Sequence, residues 1–254
     1  MKWIGLPVRW RTERRIDKAA LSGNNGRHDQ EQTHSAPTSR GDSPGFGEAA
    51  AALAGSGAAP GESLAQSQVR RLIEWAETRQ CLIREEDFEA LPLVSNETSE
   101  HEVRFRQSDR RVVKRTWNGT FGMTPVRSPD GWIPAMATPL QYLQRFAALS
   151  QLFDDDLRFE GIILSAKESQ LVNAVPGGCS MVISQRWLVA ADPDEPTPSL
   201  EEIAEFLTDL GFEPIPDSFF GWIRGTDGLL ILDAKPDNFV KTAAGILPFD
   251  LMIG

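Results

Sequence analysis

"LLILDAKPDNFVKTAAGILPFDLMIG", residues 229–254, is the stretch of sequence that decides how the fold is interpreted. The apolar run 229–232 predicts a buried strand, and Asp233 follows it directly. Asn238 stands five residues after Asp233, and Asp250 stands twelve residues after Asn238, at the end of "GILPFD". Two interpretations fit this pattern: the phosphate-handling corner of an enzyme, or two acidic turns at the ends of strands.

The residue types in this stretch match the needs of phosphoryl transfer. That reaction needs an acceptor for the substrate's proton, oxygen ligands for the metal ions that bridge the phosphates, and a lysine on the phosphates. Asp233 is the candidate acceptor, and Asn238 and Asp250 offer the hard oxygen atoms that magnesium prefers. Lys114, at the end of "RRVVK", is the candidate phosphate lysine. Each residue alone is ordinary in a turn or strand, but their order and spacing favour a kinase-like site.

Over residues 98–254 the chain resembles the protein-kinase-like superfamily, in particular the compact bacterial domain of the polyvalent protein kinase type. "DAKPDN" is similar to the end of the kinase signature H-R-D-L-K-P-E-N, and "FD" at 249–250 falls where D-F-G begins. The resemblance implies that Asp233 is the catalytic aspartate and that Lys235 steadies the transferred phosphate. It also implies that Asn238 and Asp250 are the magnesium ligands.

The same resemblance extends to the nucleotide. Lys114 would match the lysine of V-A-I-K, and "MVISQRWL" looks like the strand that enters the hinge. Backbone groups near Gln185 and Trp187 would then meet the adenine. The implied ligands are ATP and magnesium, and the implied activity is a phosphotransferase whose acceptor is unknown, with protein serine or threonine favoured.

The chain also departs from the kinase pattern, and these departures keep two alternatives open. Ile231 and Leu232 stand where His and Arg would be, and "SNETSEHEV" (95–103) takes the place of a Gly-rich loop. The segment 139–153, predicted to be a helix, has no acidic residue, and we expect the C-terminal lobe to be minimal or missing. The alternatives are a non-catalytic, pseudokinase-like module that binds a nucleotide or a partner, and a small-molecule phosphotransferase resembling the antibiotic kinases.

Hydrophobic periodicity and turn residues predict an α+β protein with mostly antiparallel strands and a few helices. Ser63 and Ser199 are the predicted N-caps of two of the helices, and the segment 118–137 is predicted to be a Gly/Pro loop. The predicted helices are 63–83, 138–153 and 199–211. The predicted strands are 102–107, 110–117, 158–165, 170–175, 179–189, 218–225, 228–233, 238–242 and 245–250.

Composition excludes several classes of protein. The net charge of −10 argues against broad nucleic-acid binding, which needs a basic face. Cys81 and Cys179 lack the spacing of a zinc site or a disulfide framework, and the three histidines form no metal-ligand pattern. No apolar run has the length of a membrane span, and the N-terminus lacks the apolar region of a secretory signal, so a cytoplasmic location is expected.

The N-terminal quarter differs in composition from the remainder. Residues 1–20 are basic, and residues 21–62 are rich in small and polar residues, with few large apolar side chains. Such a segment buries too little surface to offset the entropy of ordering it. We therefore expect two parts: a basic N-terminus and disordered linker (1–62), and a kinase-like domain (63–254).

Overall fold

The computed structural model describes residues 45–55, 57–96, 100–153, 156–165, 171–218 and 220–254. Within these ranges three α-helices come first, and two more lie among the thirteen short strands that follow. The helices are α1 (Phe46–Leu53), α2 (Leu64–Thr78), α3 (Glu85–Glu89), α4 (Pro139–Phe153) and α5 (Leu200–Asp209). The strands are β1 (Leu93–Ser95), β2 (His101–Arg106), β3 (Arg111–Thr116), β4 (Met123–Ser128), β5 (Gly131–Met136), β6 (Arg158–Ile163), β7 (Ser180–Arg186), β8 (Phe212–Pro214), β9 (Trp222–Arg224), β10 (Leu230–Leu232), β11 (Phe239–Thr242), β12 (Gly245–Pro248) and β13 (Met252–Ile253).

The strands form antiparallel sheets, and the predicted α+β class is confirmed. The largest sheet has five strands in the order β1-β2-β3-β7-β6, and a second has four in the order β13-β10-β9-β8. Two further pairs, β4–β5 and β11–β12, are separate hairpins. Each of these strand pairings is antiparallel. Among the described residues, no helix combines the length and the apolar character needed to cross a bilayer.

The five-stranded sheet separates two apolar clusters. Because side chains alternate along a strand, Lys114 of β3 shares one face with its partner Ile183 of β7. Ile183 belongs to the main core, which also contains residues of α1, α2, α4 and α5. The opposite face carries a small cluster that includes Val113 and Phe88 of α3. Lys114 therefore lies on the face of the sheet that packs against α1, α2, α4 and α5, and it contacts Phe249, the residue after β12.

Several predicted elements are confirmed, and their ends follow local rules. Ser63 and Ser199 each accept a hydrogen bond from the backbone three residues on, and each completes a capping box, with Gln66 and Glu202 respectively. The hairpins β2–β3, β9–β10 and β11–β12 lie where the sequence predicted them. In each case the signal is a short-range pattern of turn residues between apolar runs.

The predicted linker 21–62 has to be shortened, because residues 46–53 form α1. Phe46, Ala49 and Leu53 are buried in the main core, and the Phe46 ring stacks on Phe146 of α4 at 6.0 Å. The composition of "FGEAAAAL" hid this helix, since alanine carries little apolar surface but lets two helices approach closely. The domain boundary at 63 was therefore wrong. The remainder of the basic N-terminus and linker prediction, residues 1–44, lies outside the described residues.

Two other predictions were wrong. The segment 118–137 is mostly a hairpin, β4–β5, in which Pro125 stands opposite Pro134. A proline cannot donate to a ladder, but both strands of an isolated hairpin are edge strands and tolerate it. The predicted strand at 170–175 does not form in its described part: residues 171–175 make turns, and the Val175 amide donates to the carbonyl of Gly119.

The packing of α1 predicts a specific loss of stability. Phe46→Ala removes a ring that is 6% exposed, and such a change costs about 3–5 kcal/mol in the free energy of unfolding. Leu200→Ala is the matched control, because Leu200 is half exposed and begins an exposed turn of α5. We expect the control to cost less than about 1 kcal/mol. Urea denaturation of both variants measures the difference, and equal losses would contradict the packing of α1.

Candidate functional site

Asp233 begins a tight loop directly after β10. Its φ of 61° lies in the left-handed region, which aspartate tolerates better than most residues do. The carbonyl oxygen of Asp233 accepts hydrogen bonds from the amide of Lys235 (2.8 Å) and from Nδ2 of Asn238 (2.7 Å). The loop therefore folds back on Asp233, and a short 3-10 helix, Pro236–Asn238, leads into β11.

The Asp233 carboxylate is held by the two other polar residues of this loop. Its Oδ2 accepts from Nζ of Lys235 (2.9 Å) and from Nδ2 of Asn238 (2.9 Å). Asn238 is buried, whereas the side chains of Asp233 and Lys235 are 42% and 38% exposed. Rotating the amide by half a turn would set its oxygen against those of Asp233, so the observed orientation is the favourable one. Asn238 Oδ1 is thus the atom that remains to bind a cation.

The β11–β12 hairpin brings Asp250 back to this loop. The amide of Phe249 donates to the carbonyl oxygen of Asn238 at 3.0 Å. Asp233 and Asp250 then line one cleft of about 470 Å³. The other residues lining this cleft are Glu100, Met123, Trp132, Pro134, Arg145, Ser218, Phe220, Leu232 and Met252. Of the four residues that the sequence placed at the catalytic and metal positions, Asp233 and Asp250 line the cleft, and Lys235 and Asn238 are hydrogen-bonded to Asp233 beside it.

Two buried cations hold the backbone on either side of Asp250. Nζ of Lys114 donates to the carbonyl oxygen of Phe249 at 2.8 Å. Nε of Arg145, from α4, donates to the carbonyl oxygen of Leu251 at 2.9 Å. Arg145 Nη2 also lies 3.7 Å from Asp250 Oδ1. We call this arrangement, Lys114 and Arg145 on residues 249–251, the carbonyl clamp.

The environment of the carbonyl clamp lowers the pKa of Asp250 and raises the pKa of Glu100. Burial by itself would raise the pKa of Asp250, but the positive charges of Lys114 and Arg145 outweigh it and hold the pKa below its usual range. Burial raises the pKa of Glu100, with Arg145 opposing and Asp250 adding to the rise. The positive charges of Lys114 and Arg145 therefore favour the ionised form of Asp250.

Arg145 and Glu100 are the residues that sequence reasoning missed. Glu100 accepts hydrogen bonds from Nη1 of Arg145 (2.8 Å) and from the amide of Met123 (3.1 Å). The one available signal was the position of Arg145, three residues after Tyr142 and four before Leu149, on the buried side of α4. A charge on an apolar helix stripe indicates a buried partner. The sequence could not say which residue that partner was.

His101 also lies in this cluster, although the histidines showed no metal-ligand pattern in the sequence. Ligand atoms of Glu100, His101 and Asp250 lie within 4.8 Å of one another, in the part of the chain that the structure describes. His101 Nε2 is 2.9 Å from the Tyr142 hydroxyl, and burial lowers the pKa of His101 to about 3. Because Arg145 is hydrogen-bonded to Glu100 and His101 Nε2 faces the Tyr142 hydroxyl, we do not assign these three residues as a shared metal site.

The two predicted adenine-contacting residues lie at the end of β7. Gln185 is buried, and its Nε2 approaches the carbonyl oxygen of Pro248 at 3.4 Å, beside the clamp. The Trp187 amide donates to the carbonyl oxygen of Arg110 at 3.0 Å, and its ring meets the edge of Phe105. Gln185 is thus close to the other site residues. Trp187 packs at the far end of the β2–β3 hairpin, with its backbone donor already paired.

Burial of His101 predicts an acid-sensitive fold. Its pKa of about 3 in the folded protein lies below the ordinary value of 6.5, so the unfolded chain binds the proton more tightly. The contribution of the buried, neutral His101 to the free energy of unfolding is then fully present above pH 6.5. It falls as the pH drops towards 3, by up to about 1.4 kcal/mol per pH unit. Between pH 7 and pH 5, wild type should lose about 2 kcal/mol more than His101→Gln.

The measurement is the free energy of unfolding of wild type and of His101→Gln between pH 7 and pH 5. His28 and His34 are present in both chains and cancel in the comparison. Glutamine keeps a polar group near the Tyr142 hydroxyl, so the two chains differ mainly in titration. Parallel stability curves in the two chains would contradict the burial of a neutral imidazole.

Comparison with known proteins leaves the site to be interpreted from its own geometry. No family model, curated protein or solved structure matches this chain. A functional interpretation therefore depends on the residues around Asp233 and Asp250, and on the resemblance of "DAKPDN" and "FD" to kinase motifs.

Proposed function

We propose that this chain is an ATP- and magnesium-dependent phosphotransferase with a kinase-like fold. The acceptor is a hydroxyl group, and protein serine or threonine is the favoured class. One observation carries the proposal: Asn238 and Lys235 both bind the Asp233 carboxylate, while the backbone of Phe249 binds Asn238 and places Asp250 on the same cleft. Two unrelated acidic turns would not need this shared network.

The residues present suit magnesium. It prefers hard oxygen ligands, and the site offers the ionised carboxylate of Asp250 and Oδ1 of Asn238. The Asp250 side chain is 43% exposed, so it can be reached from the cleft. When bound, magnesium would neutralise the negative charge that develops on the phosphate during transfer. The protein's own part is to keep these two oxygen groups in fixed positions.

Asp233 and Lys235 have separate tasks in this proposal. Asp233 orients the acceptor hydroxyl and takes its proton. Its left-handed backbone and its two side-chain partners limit how far the carboxylate can turn. Lys235, partly exposed at 38%, is able to leave Asp233 and pair with the phosphate during transfer. The sharing of Lys235 between Asp233 and the phosphate couples acceptor binding to nucleotide binding.

Other features support the kinase-like fold. Lys114 lies on an interior strand of the five-stranded sheet, and its ammonium group faces the segment that carries Asp250. Helix α4 follows the β4–β5 hairpin and lies against the same segment through Arg145. Binding of adenine near Gln185 and Trp187 stays a prediction. It would use groups other than the Trp187 amide, or displace the carbonyl of Arg110 from it.

Specific observations also favour each alternative. Lys114 Nζ is bonded to a carbonyl oxygen, so a phosphate would have to share or displace that contact; this favours a non-catalytic, pseudokinase-like module. The cleft of about 470 Å³ is within the size range of small-molecule sites and has several apolar walls. This favours a small alcohol as acceptor, as in the antibiotic kinases.

The proposal predicts magnesium-dependent nucleotide binding. A ligand that binds only the folded state raises the melting temperature by mass action, so ATP with magnesium should raise the Tm of wild type. Asp250→Asn keeps the side-chain shape but removes the charge, and it should weaken the magnesium-dependent part of the shift. Asp237→Asn is the matched control, because Asp237 is exposed in the same loop.

The experiment is thermal denaturation with ATP up to millimolar concentrations, with magnesium and with EDTA. Equal magnesium-dependent shifts in Asp250→Asn and Asp237→Asn would show that Asp250 is not a metal ligand. The absence of any shift in wild type would exclude nucleotide binding in this range and favour an interaction module.

The proposal also predicts that Asp233 acts in the chemical step. Asp233→Asn should bind ATP with magnesium about as well as wild type, yet lose phosphate transfer by about 10²–10⁴-fold, because the proton acceptor is gone. Lys235→Ala should behave similarly. The measurement is transfer of radiolabelled phosphate to the chain itself, to a panel of proteins and to small alcohols.

Asp237→Asn is again the matched control and should keep wild-type activity. Equal rates in wild type, Asp233→Asn and Asp237→Asn would refute the catalytic role of Asp233. Nucleotide binding without transfer in wild type, across the whole panel, would support the pseudokinase-like alternative.

A further inference from the structure

We infer that Arg145 is the positioning residue for Asp250. The inference rests on the proposed function for its catalytic consequence. Its structural basis, the carbonyl clamp, is independent of that function. Helix α4 contributes the cation, and the carboxylate that pairs with it, Glu100, comes from the residue before β2.

The contacts of Arg145 lie around Asp250: one goes to the backbone of the next residue and one faces the Asp250 carboxylate. Nε donates to the carbonyl oxygen of Leu251, the residue directly after Asp250. Nη1 donates to Glu100 and to the carbonyl oxygen of Met123 (3.2 Å), and Nη2 faces the Asp250 carboxylate. With Lys114 on the carbonyl oxygen of Phe249, the carbonyl groups of the residues before and after Asp250 are both held by a buried cation. The rotation of residue 250 is thereby restricted from both sides.

Because the Arg145 side chain is buried, its charge and its hydrogen-bond donors need partners. The side chain is 3% exposed, and a buried cation is destabilising unless its charge and its donors are matched. Glu100 and Asp250 supply the charge, and they raise the pKa of Arg145 against the effect of burial. Lysine could replace it only in part, because a single ammonium group keeps the charge but lacks the planar fork that reaches several acceptors at once.

Loss of this residue should displace Asp250 without abolishing the fold. Without Arg145, the carbonyl of Leu251 loses its donor, and Glu100 faces Asp250 with no cation between them. Residues that orient a metal-ligating carboxylate typically contribute about 10–100-fold in metal affinity or activity. A residue with a purely structural role would lower stability in the same way as any other buried arginine of this chain.

Arg111 supplies the matched control. It is also 3% exposed, and it donates to Ser184 and Asp156 on the opposite face of the five-stranded sheet. The variants are Arg145→Met, Arg145→Lys and Arg111→Met, each in the full chain. Arg145→Lys keeps the charge beside Glu100 and serves where Arg145→Met does not fold.

The first readout is amide hydrogen exchange of residues 249–252, measured by mass spectrometry without any ligand. Arg145→Met should accelerate exchange in this segment at least 10-fold relative to Arg111→Met, and Arg145→Lys should give an intermediate value. The second readout is phosphate transfer with ATP and magnesium. The kcat should fall about 10–100-fold in Arg145→Met, the magnesium-dependent part of ATP binding should weaken as in Asp250→Asn, and both should be partly restored in Arg145→Lys.

The two readouts test the role of Arg145 and the proposed phosphotransferase activity separately. Unchanged exchange at 249–252 in the Arg145 variants overturns the inference, whatever the activity. Equal kcat values in Arg145→Met and Arg111→Met, in an active wild type, also overturn it. If wild type transfers no phosphate to any acceptor, the proposed function fails, and exchange alone decides whether Arg145 positions Asp250.

Discussion

The carbonyl clamp is the interaction on which the rest of the site depends. Lys114 and Arg145 come from a strand and a helix that are distant in sequence, and they bind the backbone on either side of Asp250. Both cations are almost fully buried, so their charges and donors must be matched for the fold to be stable. The clamp therefore joins the five-stranded sheet, α4 and the C-terminal segment, because each provides part of one hydrogen-bonded group.

In the Asp233 loop, charges and hydrogen-bonding groups are matched by residues that are close together in the sequence. Asp233, Lys235 and Asn238 lie within six residues and satisfy each other's polar atoms. The left-handed backbone at Asp233 makes this possible, since it turns the chain directly after β10. One long-range contact, from Phe249 to the carbonyl of Asn238, then connects the loop to the clamp. The Asp233 loop, which forms through local contacts, and the carbonyl clamp, which forms through long-range contacts, thus meet at one cleft. The kinase-like proposal is founded on this arrangement.

The errors in the sequence predictions have physical causes that lie in particular residues. Helix α1 was assigned to the linker, with no more than a helical turn expected at 49–53, because its alanines provide close packing rather than large apolar surface. The β4–β5 hairpin was missed because prolines normally exclude a strand, whereas here Pro125 and Pro134 face each other on two edge strands. The strand expected at 170–175 does not form in its described part, because the chain turns there and the Val175 amide donates to the carbonyl of Gly119.

The sequence by itself determined the α+β class, the capped helices α2 and α5, the principal hairpins and the grouping of Asp233, Lys235 and Asn238. These features follow from contacts over a few residues: side-chain periodicity, capping boxes and turn chemistry. Only the tertiary structure decided that Arg145 lies beside Asp250, that Glu100 balances it and that His101 is buried and neutral. A side chain's neighbours across long sequence separations, and hence its charge state, depend on how the sheet and helices pack, and no local pattern encodes that packing.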